Sequence, residues 1–197
     1  MCQQHIFPCG AEVDSLGRHG LSCKNQVGRH PRHSQVNDLL KPALSSADFP
    51  SRLEPPGLSR KDGKRPDGMT LFPFKEGRSL VWDFTCVDTL ASSYLKETSM
   101  QSGSAAEKAE KSKLAKYEEI RKDYYMVPVA VETFGAWGPE GAKLIKSIGK
   151  MIQDQTGEKR STFFLFQSIS MAIQRGNAVS ILGTIKPGEK LDEIFYL

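Results

Sequence analysis

Hydrophobic positions change their spacing along the chain, and the changes mark out its elements. Residues 1–33 carry few apolar side chains and many Gly, His, Cys and Arg, the composition of a small loop-rich module. Val36, Leu39, Leu40, Ala43 and Leu44 then recur at helical spacing. They predict a helix over 34–46 with Ser34 as N-cap and a kink at Pro42. Arg52-Leu53-Glu54 opens a short strand, which Pro55-Pro56-Gly57 stops. A polar, basic loop over 57–66 leads into a hairpin: strand 69–74, turn 75–78, strand 79–87. Pro73 has no N–H to donate, so the first of these strands lies at an edge or carries a bulge. In the second, alternation sets Val81, Asp83, Thr85 and Val87 on one face and Leu80, Trp82, Phe84 and Cys86 on the other. Both faces are mostly apolar, so this strand is central.

Residues 88–103 read as loop with a short helical turn. Ser104 and Glu107 fit a capping box that starts a long helix, with Leu114, Tyr117, Ile120 and Tyr124 as its buried stripe. The Val-rich stretch 126–133 is a buried strand. Gly138-Pro139 starts a helix that turns Leu144, Ile145, Ile148, Met151 and Ile152 inward, and 161–182 forms a last helix before a tail over 183–197. Helix, three strands, helix, strand and two helices make an α/β mixed sheet flanked by helices. At about 150 residues per domain, 197 residues divide into a Cys/His module over 1–33, a core over 34–135 and a helical extension over 136–197. Trp137 and the run 163–166 read as core, with Phe164 and Phe166 open to a second reading as contacts to other parts of a larger protein.

Composition narrows the class. Apolar residues at 39% and charged residues at 25% are those of a globular chain. The longest apolar run, Phe163-Phe164-Leu165-Phe166, is far short of the about 20 residues a membrane helix needs. No basic stretch runs into an apolar one at the start, so no secretory signal is expected and the location is intracellular. The net charge of +4 sits unevenly: residues 1–66 hold 10 Lys and Arg against 6 Asp and Glu, while 67–197 hold 17 against 17. All four histidines also lie in the first part. A basic front third suits a polyanionic partner such as nucleic acid, or simply a solvated basic surface.

Two clusters carry chemistry. Asp83 stands in the middle of an apolar strand, where an isolated charge is costly. Asp67 stands just before the hairpin that contains it, and one bulged residue at Pro73 would bring both onto one face. Two converging carboxylates repel, and a hard divalent cation such as Mg²⁺ compensates them through oxygen ligands. Such an ion polarises a phosphate and lowers the pKa of a water. At the front, Cys9, His19 and Cys23 read as C-x₉-H-x₃-C, which in an intracellular chain favours metal over disulfide. Structural Zn²⁺ takes four ligands, and His5 or Cys2 could supply the fourth. A metal there would hold Arg29, His30, Arg32 and His33 against the core as phosphate contacts. Cys86, inside an apolar run, reads as a small buried hydrophobe.

Arg65-Pro66-Asp67, the spacing to Trp82-Asp83 and the later Lys116-Tyr117 resemble the PD-(D/E)XK nuclease superfamily. With the Cys/His cluster and Arg32-His33 upstream, the chain resembles more closely the restriction-like endonuclease region at the C-terminal end of site-specific non-LTR retrotransposon proteins. The resemblance spans about residues 9–135. It implies a restriction-endonuclease-like fold, a nuclear location and a Mg²⁺-dependent phosphodiesterase that nicks target DNA, the exposed 3′ end priming reverse transcription. DNA, the RNA of the parent element and a reverse transcriptase domain normally upstream are the implied partners, with no membrane.

Residue by residue, the resemblance places Asp67 and Asp83 on Mg²⁺ with the backbone carbonyl of Phe84. It makes Lys116 the residue that orients the attacking water, sets Tyr117 beside it, and adds an acid from the first helix, Asp38, with Glu54 as rival. Arg65 joins the DNA contacts. The superfamily's usual lysine position, two residues after the strand acid, is Thr85 here, and Phe7 stands where the related knuckle has a first cysteine. Those departures leave two other readings open: a nucleic-acid-binding module without catalysis, or an interaction domain derived from such an element.

Overall fold

The computed structural model describes residues 4–7, 9–23, 25–26, 28–59 and 63–184. In chain order its elements are β1 (His5–Ile6), β2 (Glu12–Val13), α1 (His19–Ser22), α2 (Arg29–Ser46), β3 (Ser51–Leu53), β4 (Gly68–Lys75), β5 (Arg78–Val87), α3 (Leu95–Thr98), α4 (Ser104–Lys116), α5 (Ile120–Asp123), β6 (Tyr125–Glu132), α6 (Pro139–Thr156) and α7 (Ser161–Leu182). Strands β1 and β2 pair as a small antiparallel ribbon in the Cys/His module. The main sheet has the order β3-β4-β5-β6. Its first two junctions are antiparallel, and β5 and β6 run parallel from Leu80 opposite Tyr125 to Val87 opposite Glu132. A parallel pair needs a long crossover, and α3, α4 and α5 lie on it.

Alternation along β5 sorts the two layers of helices. Leu80, Trp82 and Phe84, with Val127, Val129 and Val131 of β6, face α2, α6 and α7 in one core. Val81 and Met126 face Tyr117 and Ile120, and Ala130 packs on Ala106 and Ala109 of α4. The fold is therefore a mixed four-stranded sheet flanked by helices, with β5 central. Helices α6 and α7, read from sequence as an extension beyond 135, fill the same core as α2. No helix among the described residues is long and apolar enough to cross a membrane.

Several boundaries differ from the sequence reading. Helix α2 begins at Arg29 rather than at 34, so Ser34 is an interior residue and not its N-cap. Pro31 is only the third helical residue, where an N–H would have no intrahelical acceptor, so its missing donor costs nothing there. The helix continues through Pro42 to Ser46. Arg29, His30, Arg32 and His33 thus belong to this helix rather than to a loop of the Cys/His module. The tail from 185 onward and Cys2 lie outside the described residues.

The hairpin carries its irregularity in two places: the β4–β5 register shifts between Met69 and Pro73 and again between Pro73 and Lys75. Thr70 fills the first, its hydroxyl accepting the Leu80 N–H at 2.9 Å and donating to the Phe72 carbonyl at 2.8 Å. Pro73 sits beyond the part of β4 that β3 covers, so no β3 residue is deprived of a donor.

Helix α4 starts without the capping box. Gly103, in the left-handed region at φ 84°, turns the chain into the helix. The Ala105 and Ala106 N–H groups donate to Glu132 Oε1 at 3.0 and 3.4 Å. Glu110 of α4 in turn accepts the Glu140 and Gly141 N–H groups at 3.0 and 2.8 Å and caps α6. A carboxylate suits the positive end of a helix, and both of these are buried. Helix α4 stops at Lys116, and the stripe read from sequence as one helix continues through Tyr117 into α5.

Candidate functional site

Strand β4 begins at Gly68, and the chain before it lies outside the strand. The last backbone bond of this edge runs from the Asp67 N–H to the Trp82 carbonyl at 3.0 Å. The next donor of β5, the Phe84 N–H, meets the Asp67 side chain instead, with Oδ2 at 2.6 Å. Asp67 therefore lies close to the sheet plane. Gly68 is needed beside it, because a Cβ there would sit inside the Trp82 indole. The neighbouring Glu54 N–H donates to the Asp67 carbonyl at 2.8 Å and fixes the backbone from the other side.

Asp83 extends from β5 toward α4 and is 4% exposed. Lys113 donates to its Oδ2 at 2.5 Å. Tyr117 donates to the Arg65 carbonyl at 3.3 Å and lowers the pKa of the Asp83 carboxyl, tying the Asp83 side of the sheet to the segment before Asp67. From the opposite face, His33 of α2 reaches Asp67 Oδ2 with Nε2 at 3.1 Å. Asn37, one turn on, contacts His33 Nδ1 at 3.4 Å while its Oδ1 accepts the Trp82 Nε1–H at 3.0 Å. Helices from both layers thus converge on the start of β4.

The electrostatics follow from this packing. Burial pushes the Asp83 carboxyl above its usual range; Lys113 and Tyr117 pull it down, and the charge of Asp67 pushes it up again. The net direction is upward, because burial outweighs the pull of Lys113. His33 is raised, first by its bond to Asp67, with burial acting against it and the charges of Asp67 and Asp83 adding to the rise. The two acids therefore feel one another and the same imidazole.

A cleft of about 150 Å³ opens beside the pair, lined by Arg29, Arg32, His33, Thr85, Cys86 and Lys113. Arg29 and His30 are exposed, and Arg32 is buried, its guanidinium bonded to Asn177 and Gln26. Arg65 is exposed beside Asp67. Cys86 is pushed up to about 11 by burial, as befits a hydrophobe and not a nucleophile.

The lysine at Asp83 is Lys113; Lys116, one turn later at the helix end, faces solvent. Asp38 is exposed on the outer side of α2, in a groove with Arg175 and Met171 of α7, away from Asp67 and Asp83. Glu54 joins the site through its backbone, with an exposed side chain.

The N-terminal ligands also meet. One ligand atom from each of Cys9, His19 and Cys23 lies within 4.8 Å of the others, and Cys9 Sγ is 3.0 Å from His19 Nε2. This group could hold a metal ion. Phe7 is buried with Val13 and Cys23 and packs edge-on against the His19 ring at 5.4 Å, so it serves the module as core. His5, on β1, is half-buried.

No model of a known protein family matches the chain, and neither does any curated protein. The geometry is what speaks for function. Of the residues gathered around this cleft, the sequence reading named Asp67, Asp83 and Tyr117 as candidates and did not name Lys113, Asn37 or Asn177.

Proposed function

We propose that the chain is a metal-dependent endonuclease acting on DNA, of the PD-(D/E)XK type and of retrotransposon origin. The observation that carries this reading is that Lys113, paired with Asp83, and His33, paired with Asp67, line one cleft together with Arg29 and Arg32. Acidic oxygens next to a basic trough suit phosphodiester hydrolysis better than they suit either feature alone.

The donor set fits Mg²⁺. Both side chains offer hard oxygen, the ligand type Mg²⁺ takes. Asp67 and Asp83 would hold the ion, which supplies an acidified water and charge neutralisation at the phosphate. Lys113, already on Asp83 Oδ2, orients the attacking water and donates toward the phosphate oxygens as charge builds. Its position answers the absence of a lysine at Thr85. Tyr117 holds the Asp83 carboxylate and the Arg65 carbonyl in register, and Trp82 and Phe84 keep bulk water from the inner side. In the front module, the thiolate and imidazole set of Cys9, His19 and Cys23 suits Zn²⁺ in a structural role, which would take a fourth ligand.

DNA is then the substrate. The parent element's RNA and an upstream reverse transcriptase domain are proposed partners, and the nucleus the proposed location. Plasmid nicking in Mg²⁺ tests the reading: wild type should nick and Asp83→Ala should not. DNA retention without cleavage by either would establish a binding module instead.

A further inference from the structure

Arg32 is 3% exposed, yet the partners of its guanidinium are neutral amides. Nη1 donates to Asn177 Oδ1 at 2.6 Å and Nη2 to Gln26 Oε1 at 3.4 Å. Among the described residues no carboxylate lies within ion-pair distance of it. The acids on the neighbouring strand ends are engaged elsewhere: Asp88 with the Thr133 hydroxyl and the Leu90 N–H, Glu132 with the start of α4. A buried charge with neutral partners only is costly, and an anion brought to it from outside would offset that cost.

The packing around Arg32 is built to hold it. Asn177 Nδ2 donates to the Thr133 carbonyl at 2.7 Å, which fixes the amide so that its oxygen faces Arg32. Gln26 Oε1 also accepts from the Ser180 hydroxyl at 2.7 Å, and Gln26 Nε2 donates to the Leu21 carbonyl at 3.0 Å. Helix α7 can approach this closely because position 176 is glycine; a Cβ there would fall 2.5 Å from Arg32 Cβ. What lies in front is the cleft, whose wall Arg32 shares with Arg29 at the rim, His33 and Lys113. Lys113 and His33 already answer Asp83 and Asp67, so Arg29 and Arg32 are cations in excess of the acids. The first turns of α2 supply Arg29, Arg32 and His33, and that positive helix end carries no side-chain cap.

We propose that this cleft is a subsite for a phosphate group of the nucleic-acid backbone, next to the one cut at Asp67 and Asp83. Arg32 is its buried anchor, and Asn177 and Gln26 are positioning residues that act through Arg32. The inference rests on the nuclease reading for the identity of its ligand. It assigns to α7 and to the segment after Cys23 a part in substrate binding rather than packing alone.

Asn177→Asp tests it, because the aspartate still accepts from Arg32 but cancels its charge, with loss of the bond to the Thr133 carbonyl as the cost that thermal melting reads. Binding of a short labelled duplex is measured in EDTA across a salt series, with thermal melting as the check of folding. The variant should stay folded, bind roughly tenfold more weakly at low salt, and show a log–log salt slope shallower by about one. A folded Asn177→Asp with wild-type affinity and slope would make Arg32 a mere strut and overturn the proposal. Gln26→Glu, which neutralises Arg32 from the other side, serves the same test if Asn177→Asp does not fold. Nicking separates the two readings: wild type that binds with this Arg32 dependence but never nicks defeats the nuclease alone. Wild type that nicks while the folded variants match it in binding and rate defeats the subsite alone.

Discussion

The carboxylate of Asp67 stands in for a strand carbonyl, accepting the Phe84 N–H at 2.6 Å one residue before β4 begins. A residue read as a metal ligand is thus also part of the ladder of β5. Asp67→Ala strands a buried donor and is expected to lower stability by about 1–3 kcal/mol. Asp67→Asn keeps an acceptor and should cost less. Both variants should lose nicking. Urea unfolding of the two beside plasmid cleavage checks the difference.

Lys113 and Lys116 offer a sharper comparison. Lys113→Ala leaves Asp83, 4% exposed, without its cation, and is expected to cost about 1–3 kcal/mol and about 10²-fold or more in nicking rate. Lys116→Ala should leave both within about 0.5 kcal/mol and a few-fold of wild type. Equal effects of the two substitutions would show that the ion pair to Asp83 does not matter for cleavage.

His33 links the site to pH. Its folded pKa is raised above 6.5, mainly by the bond to Asp67, so the folded state holds the proton more tightly than the unfolded chain. The resulting stability is fully present below 6.5 and disappears as pH climbs through the raised folded value. The difference in unfolding free energy between wild type and His33→Gln should therefore shrink from pH about 6 to about 8.5. A difference that grows over that window would contradict the bond to Asp67.

Gly68 admits no side chain, since a Cβ would enter the Trp82 ring. Gly68→Ala must move the indole, break its bond to Asn37, or shift Asp67. A loss of about 2–4 kcal/mol is expected. Trp fluorescence should move with it, because Trp82 is otherwise fully buried.

The front module should follow its metal. Zinc-loaded protein treated with a strong chelator is expected to lose the proteolytic resistance of residues before α2, while the sheet, whose core does not include Cys9, His19 or Cys23, remains folded. Cys9→Ser and His19→Ala should each prevent zinc uptake, read by metal analysis of the purified chain.

Legibility in the sequence tracked the range of the interaction. Alternation along β5 is local, and it placed Trp82 and Asp83 on opposite faces. The proline and the offset between the two acids pointed to a bulge, which two register shifts around Pro73 provide. The start of α2 was hidden because Pro31 resembles a stop, although a first-turn proline is harmless. The capping box at Ser104 and Glu107 was a local pattern overridden by Glu132, 27 positions from the Ala105 N–H it receives. The bond between Arg32 and Asn177 spans 145 positions, and no periodicity along the chain announces it.

Glu132 has one more effect. By gripping the first turn of α4 at the Ala105 N–H, it sets the zero of a scale along which Lys113 is measured out. An α-helix rotates about 100° per residue. One residue inserted between these two points would swing the ammonium a quarter-turn off Asp83 while every strand stayed where it was. Tolerance to length change on this crossover should accordingly vanish inside α4 and return in the loops on either side.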